Sequence, residues 1–191
     1  MSLLRKYIGL LLEQASSNIM IPDPPSLDYR TRELQTILSY RESPVTPPEL
    51  KEDLDTGTSK MFDQIVTAAG YDSLYEKIEL LKRSMIPIIT EHKNHFGSLR
   101  PNELADQMGV DFEFDYLESA QTPSYPSGHT AQAFWVAHNL SDMFPELERE
   151  FFRLAQMIAD SRIDRGVHFP SDNRAGKALA DAVYFKGRNL Q

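Results

Sequence analysis

Apolar residues recur along most of this chain at intervals of three and four, the period of a helix that buries one face. The pattern predicts helices near residues 2–16, 27–42, 47–69, 72–83, 85–98, 127–143, 146–163 and 172–187. Strand-type alternation reaches no further than DFEFDY (111–116). Its acidic residues Asp111, Glu113 and Asp115 lack the glycine and closing glutamate of a calcium loop and read as a solvated edge. The proline-rich pieces IPDPPS (21–26) and SPVTPPE (43–49) read as connections, because proline cannot donate to a helical ladder. The expectation is an all-α, single-domain helical bundle over residues 1–191. In it, residues 1–84 complete the bundle and residues 85–187 carry the chemistry.

Two predicted helices break the pattern. Phe151, Ala155 and Ile158 form a core-facing stripe whose next position is Arg162. On another helix Lys93 lies between Ile89 and Phe96, with Arg100 one heptad further on. A charge on a buried stripe needs an opposite charge. Whatever anion these cations serve must be held locally, because the net charge of −8 supplies no general basic face. That balance argues against a nucleic-acid partner.

The 191 residues, 41% of them hydrophobic, suffice for one sizeable core. No apolar run approaches the length of a membrane span, and IGLLL near the N-terminus is shorter than a signal-peptide core. The expected location is therefore cytoplasmic or otherwise soluble, with a periplasmic one as the alternative. Without cysteine there is neither a disulfide framework nor thiolate chemistry.

Three separated pieces carry candidate chemistry. In YPSGH (125–129), Ser127 can cap a helix and Gly128 lets a ligand approach the backbone, so the first amides of that helix form an anion site beside His129. In SRIDRGVHFPSD (161–172), a carboxylate four residues from a histidine can fix its tautomer and free the other ring nitrogen. The third piece is KNHFGSLRP (93–101). His92 and His95 lack a third ligand at metal-site spacing and read as surface or supporting residues. His138 falls on the opposite helix face from His129 and reads as structural.

In order, K-x6-RP, PSGH and SR-x5-H-x3-D resemble the three-part motif of the superfamily containing type 2 phosphatidic acid phosphatases, bacterial class A acid phosphatases and vanadium haloperoxidases. The soluble class A acid phosphatases are the most similar branch. Phe169 stands where those enzymes usually have tryptophan, and their cysteines are missing. The resemblance implies a phosphatase acting on soluble phosphomonoesters, with His168 as nucleophile through a phosphohistidine. Asp172 would orient it, and His129 would protonate the leaving group. Lys93, Arg100, Ser127, Gly128 and Arg162 would hold the phosphoryl oxygens. It also implies no required metal or cofactor, phosphate or vanadate as occupants of the pocket, and, by analogy, a homo-oligomer. Phe112, Phe114, Tyr116 and Tyr125 are the expected contacts with the organic half of the substrate, an aromatic or nucleoside phosphomonoester. A vanadate-dependent haloperoxidase and a non-catalytic phosphate or nucleotide binder remain the alternatives.

Overall fold

A computed structural model describes residues 19–188, so the helix predicted at 2–16 lies outside the described residues. The described residues contain helices and turns and no strand. In chain order the α-helices are α1 (Leu27–Glu42), α2 (Thr58–Ala68), α3 (Tyr75–Ser84), α4 (Ile86–Phe96), α5 (Pro101–Met108), α6 (Gly128–Met143), α7 (Glu148–Asp164) and α8 (Pro170–Arg188). Single 3₁₀ turns occupy Pro48–Leu50, Glu118–Ala120 and Pro145–Leu147.

Helix α6 is the axis of the bundle. Ala131, Ala133, Phe134, Trp135, Val136, Ala137 and Leu140 are all buried, which a helix tolerates only where neighbours cover every side. Helices α7 and α8 pack along it, while α3 and α4 cover a further face. Small residues let the neighbours come close. A Cβ on Gly176 of α8 would lie 2.5 Å from the Ser127 carbonyl oxygen. Only glycine therefore permits α8 to lie this near the start of α6, and that proximity brings the third motif onto the second.

Helix α7 has a clear amphipathic face, with Phe151, Leu154, Ala155, Ile158 and Ala159 buried. The stripe continues into Arg162, which is 0% exposed. Helix α4 ends at Gly97, whose φ of 56° is left-handed and free of strain only for glycine.

Two expectations need correction. The helix expected over 47–69 is broken: after the turn Pro48–Leu50 the chain turns through residues 51–56, and α2 begins only at Thr58, behind Gly57. Consecutive prolines at 47 and 48 start the first turn, and Gly57 weakens helical continuation. Helix α5 was not expected. Its start is marked by Pro101 at the first position and by Glu103 Oε2 accepting from the Arg100 amide at 2.6 Å. Its end is marked by Gly109 at φ 66°. With only Leu104 and Ala105 buried beyond the proline, its periodic signal is short.

Candidate active site

His168 lies between Gly166, at φ 69°, and Pro170, which opens α8. Its Nδ1–H donates to Asp172 Oδ2 at 3.1 Å, a tautomer assigned from that bond. Nε2 is thereby left with its lone pair, and it has no hydrogen-bond partner among the described residues. Asp172 is wholly buried and also accepts from the Phe169 amide at 2.9 Å and from the Ser124 hydroxyl. Its second oxygen, Oδ1, meets Arg30 Nη2 at 3.1 Å. Arg30 comes from α1, and its guanidinium lies 4.2 Å from the centre of the Phe169 ring. Burial pushes the Asp172 carboxyl up from its ordinary range, against the pull of Arg30 and the hydrogen bonds. Burial first, then the charges of Arg100, Lys93 and Arg162, hold His168 well below the usual imidazole range. A neutral His168 is the form that can attack.

His129 stands in the first turn of α6. Its Nε2 lies 3.1 Å from the backbone oxygen of Asp55 and 3.2 Å from Asp55 Oδ1. Both are acceptors, so Nε2 carries a hydrogen and Nδ1 is the nitrogen that gains or loses a proton. The same carboxylate oxygen accepts from Arg162 Nη1 and from the Ser119 hydroxyl, each at 2.8 Å. Burial opposes ionisation of Asp55, but the bond from His129, the Arg162 charge and Ser119 outweigh it and hold the carboxyl far below its usual range. Burial and the Arg162 charge lower the His129 pKa, with Asp55 opposing. Arg162 Nε is buried and has no hydrogen-bond partner. Arg30 Nε and Arg165 Nε are likewise buried without a hydrogen-bond partner.

The two remaining cations converge on the same place. Lys93 Nζ donates to the carbonyls of Pro123 and Ser124, and Arg100 donates to Thr122 O at 2.8 Å and Val167 O at 2.7 Å. Burial and the neighbouring arginines lower Lys93 to about 7, and burial lowers Arg100 to about 10. Ser127 holds the N-cap position of α6 without capping through its side chain. Thr130 Oγ1 donates to Asn173, so the Ser127 hydroxyl donates to Thr130 at 2.9 Å. The first amides of α6 lack intrahelical partners, as at any helix start.

The expected aromatic contacts separate. Phe114 and Tyr116 border a cavity of 330 Å³ that also has Arg100, Thr122, Pro123 and Val167 in its wall; Tyr116 is 68% exposed. Tyr125 does not join them. It is buried, with its hydroxyl donating to Pro22 O at 2.6 Å and its ring edge-on to Phe96. Phe112 packs on the cluster of Leu34, Ile37, Leu104 and Phe169. His92 sits between the carbonyls of Ile88 and Ile19, and His138 pairs with Asp181 at 2.8 Å under the Tyr184 ring. Asp115, read as a solvated edge, pairs with Arg41 and Arg165. Among the described residues no group of three or more acidic or histidine side chains is placed to hold a metal ion.

Arg30 and Asp55 were not anticipated. Arg30 lies among the charges of YRTRE and Asp55 inside a stretch taken as continuous helix. The one local signal for the second is Gly57, two residues on, which interrupts that helix.

Fold and site together define a class: an all-helical protein whose two histidines and three buried cations converge at the start of one central helix. Residues 82–185, more than half of the chain, match the PAP2 superfamily, and the chain belongs to that superfamily. It is 29% identical over 136 residues to an acid phosphatase of Zymomonas mobilis, covering 68% of this chain and 51% of that protein. To a non-specific acid phosphatase of Salmonella typhimurium it is 27% identical over 143 residues, covering 75% and 50%. The chain thus spans about half the length of the curated relatives it matches. Its fold is similar to that of a transmembrane PAP2 type phosphatidylglycerolphosphate phosphatase from Bacillus subtilis, with a TM-score of 0.54 and 18% identity over 98% of this chain and 93% of the other. Among the described residues no helix is long and apolar enough to cross a membrane.

Proposed function

We propose that this chain is a phosphatase that hydrolyses phosphomonoesters through a phosphohistidine on His168, without a metal. The observation that carries this reading is the His168–Asp172 pair, with His168 neutral and its tautomer fixed, inside a shell of Lys93, Arg100 and Arg162. Such a pair presents an imidazole lone pair to an electrophile, and the cations compensate the charge of a phosphoryl group at the same place. The orphan Nε of Arg162 and the free amides opening α6 supply donors for its oxygens. A protein that only bound phosphate would gain nothing from a poised nucleophile.

In the first half-reaction, His168 Nε2 bonds to phosphorus as the ester P–O bond breaks, and His129 Nδ1 gives its proton to the departing oxygen. In the second, His129 Nδ1 takes a proton from water as the water oxygen attacks phosphorus and the N–P bond breaks. Positioning and fixed positive charge supply most of the rate enhancement. The 330 Å³ cavity beside Arg100 receives the organic half of the substrate, with Phe114 and Tyr116 at its border.

The test is hydrolysis of p-nitrophenyl phosphate in excess EDTA from acidic to neutral pH, with His168→Ala and added orthovanadate as controls. Turnover that survives EDTA, disappears in His168→Ala and is blocked by orthovanadate is the expected result. Loss of turnover in EDTA would overturn the metal-free mechanism, and absence of turnover throughout would overturn the phosphatase reading.

A further inference from the structure

We propose that Asp55 is the positioning residue for the proton donor: by accepting from His129 Nε2 and anchoring Arg162, it aims His129 Nδ1 at the leaving-group oxygen. This inference rests on the phosphatase reading and adds to it a residue from outside the three motifs. Three donors meet one carboxylate oxygen, at 2.8 Å from Arg162 Nη1, 2.8 Å from Ser119 Oγ and 3.2 Å from His129 Nε2. The Asp55 backbone oxygen adds a fourth contact at 3.1 Å, again to His129 Nε2. An imidazole held by the side chain and backbone of one residue has little freedom to rotate about its χ angles.

The turn that presents Asp55 is itself held. Leu54 is 0% exposed in the main core, and Arg165 Nη1 donates to Lys51 O at 2.9 Å. Gly57 closes the turn so tightly that a Cβ there would stand 2.8 Å from Asp53 Oδ1 and 3.0 Å from Asp53 Cα. The break that divides the expected helix 47–69 is therefore what delivers Asp55 to the site.

Proton movement follows from the geometry. The Nε2 hydrogen stays between His129 and Asp55 throughout, while the Nδ1 proton passes to the ester oxygen and is recovered from water in the second step. Negative charge at Asp55 favours the imidazolium. The other groups facing His129 are Arg162 from α7 and His168 ahead of α8, with Lys82 from α3 bordering the same small cavity but already paired with Glu79. Asp55 is the anion in that set.

The test compares Asp55→Asn with the parent protein on phosphomonoesters whose leaving groups run from 2,4-dinitrophenol to glycerol. A dinitrophenolate leaves without a proton and glycerol does not, so the ratio of kcat/KM between these two esters should widen by about tenfold or more in the variant. The alkaline limb on glycerol phosphate should move to lower pH, since removing the anion lowers the His129 pKa. His129→Asn should show the same steep leaving-group dependence, and the double variant should be no steeper. Ser119→Ala, which removes one donor from Asp55 at an exposed position, should widen the ratio in the same direction by less than Asp55→Asn does, because Asp55 loses part of its anchorage.

An equal loss on every ester would overturn the proposal, as a structural role alone predicts that. So would faster turnover with lower KM on every ester, the sign of a carboxylate that merely competes with phosphate for Arg162. A parent protein inactive even on 2,4-dinitrophenyl phosphate would instead mean that the phosphatase reading itself had failed.

Discussion

Replacing Arg30 by methionine isolates what the motif-free N-terminal part contributes to the His168–Asp172 pair. Methionine keeps an unbranched apolar chain over the Phe169 ring and removes the charge that faces Asp172. The two atoms are 3.1 Å apart, and their side chains are 7% and 0% exposed. At an effective dielectric constant of about 20, a pair at that distance attracts by about 5 kcal/mol. Removing one partner of a buried pair costs about 3–5 kcal/mol, because the remaining charge stays desolvated. Asp172 keeps its bonds from Ser124, the Phe169 amide and His168, which places the expectation near the lower end, about 3 kcal/mol. For a chain of this size that lowers Tm by about 6–12 °C. The pH dependence separates this cause from lost packing. The pair stabilises only while Asp172 is ionised, so the difference between parent and variant is full above the folded pKa and shrinks as pH falls through it. Burial already raises that pKa above 3.8, and losing Arg30 raises it further, so the variant protonates first. Urea unfolding at pH 7.5 and pH 5 should show the larger difference at pH 7.5. A difference below about 1 kcal/mol, the size of an exposed pair, or one equal at both pH values, would refute the reasoning.

Lys93, lowered to about 7 in the free protein, should be driven toward its charged form by a bound phosphate. Calorimetric titration with inorganic phosphate near pH 7 in buffers of different ionisation enthalpy should report net proton uptake, and Lys93→Met should lose its share. His129 and His168 both have folded pKa values below 6.5, so the unfolded chain binds more protons just below that pH. The histidines' contribution to stability should be full above about 6.5 and should be lost with acidification by about 1 kcal/mol per pH unit for each, measurable by urea midpoints between pH 7 and pH 5. Gly176→Ala should destabilise by about 1–3 kcal/mol and reduce kcat, since its Cβ would meet the Ser127 carbonyl oxygen at 2.5 Å; unchanged melting and turnover would show that α8 can shift freely. Tyr116→Ala should raise KM for aromatic esters by about tenfold while leaving that for glycerol phosphate unchanged.

The motif residues could be read from the sequence because each sits where its residue type is out of keeping with its surroundings. Arg162 continues an apolar stripe, Lys93 interrupts one, and Ser127 with Gly128 stands at the start of a helix whose middle is largely apolar. Helix limits were legible for the same reason wherever apolar periodicity ran long, as in α1, α6 and α7. Legibility failed where an element is short or where its meaning is tertiary. Helix α5 buries only Leu104 and Ala105 beyond its opening proline, too little periodicity to be distinguished from a loop. Tyr125 adjoins the motif in sequence, yet its ring fills the bundle and its hydroxyl binds Pro22 O. Nothing local marks Arg30 as buried, since its partner is 142 residues away.

In the proposed mechanism the two histidines differ in role through what stands opposite them. Each has one ring nitrogen committed to an aspartate, but the aspartates are held differently. Asp172 is fully buried, with its pKa pushed up and Arg30 behind it. Its histidine is crowded by Arg100, Lys93 and Arg162, which favour the neutral ring. Asp55 is ionised far into acid, bonded to Arg162, and shares both side chain and backbone with His129. The first arrangement favours a nucleophile with an available lone pair. The second places a firmly ionised carboxylate against the ring that must carry a proton. Loss of the charge at Arg30 and loss of the charge at Asp55 should therefore slow the first transfer in different ways. Loss of Arg30 should slow formation of the phosphohistidine by a similar factor for every ester, because it disturbs the Asp172–His168 pair and leaves protonation of the departing oxygen by His129 untouched. Loss of Asp55 should slow the step chiefly for esters whose alcohol needs a proton. Rapid-quench measurement of the phosphoenzyme with dinitrophenyl and glycerol esters distinguishes the two, and the same leaving-group dependence in both variants would show that the histidines are not specialised by their partners.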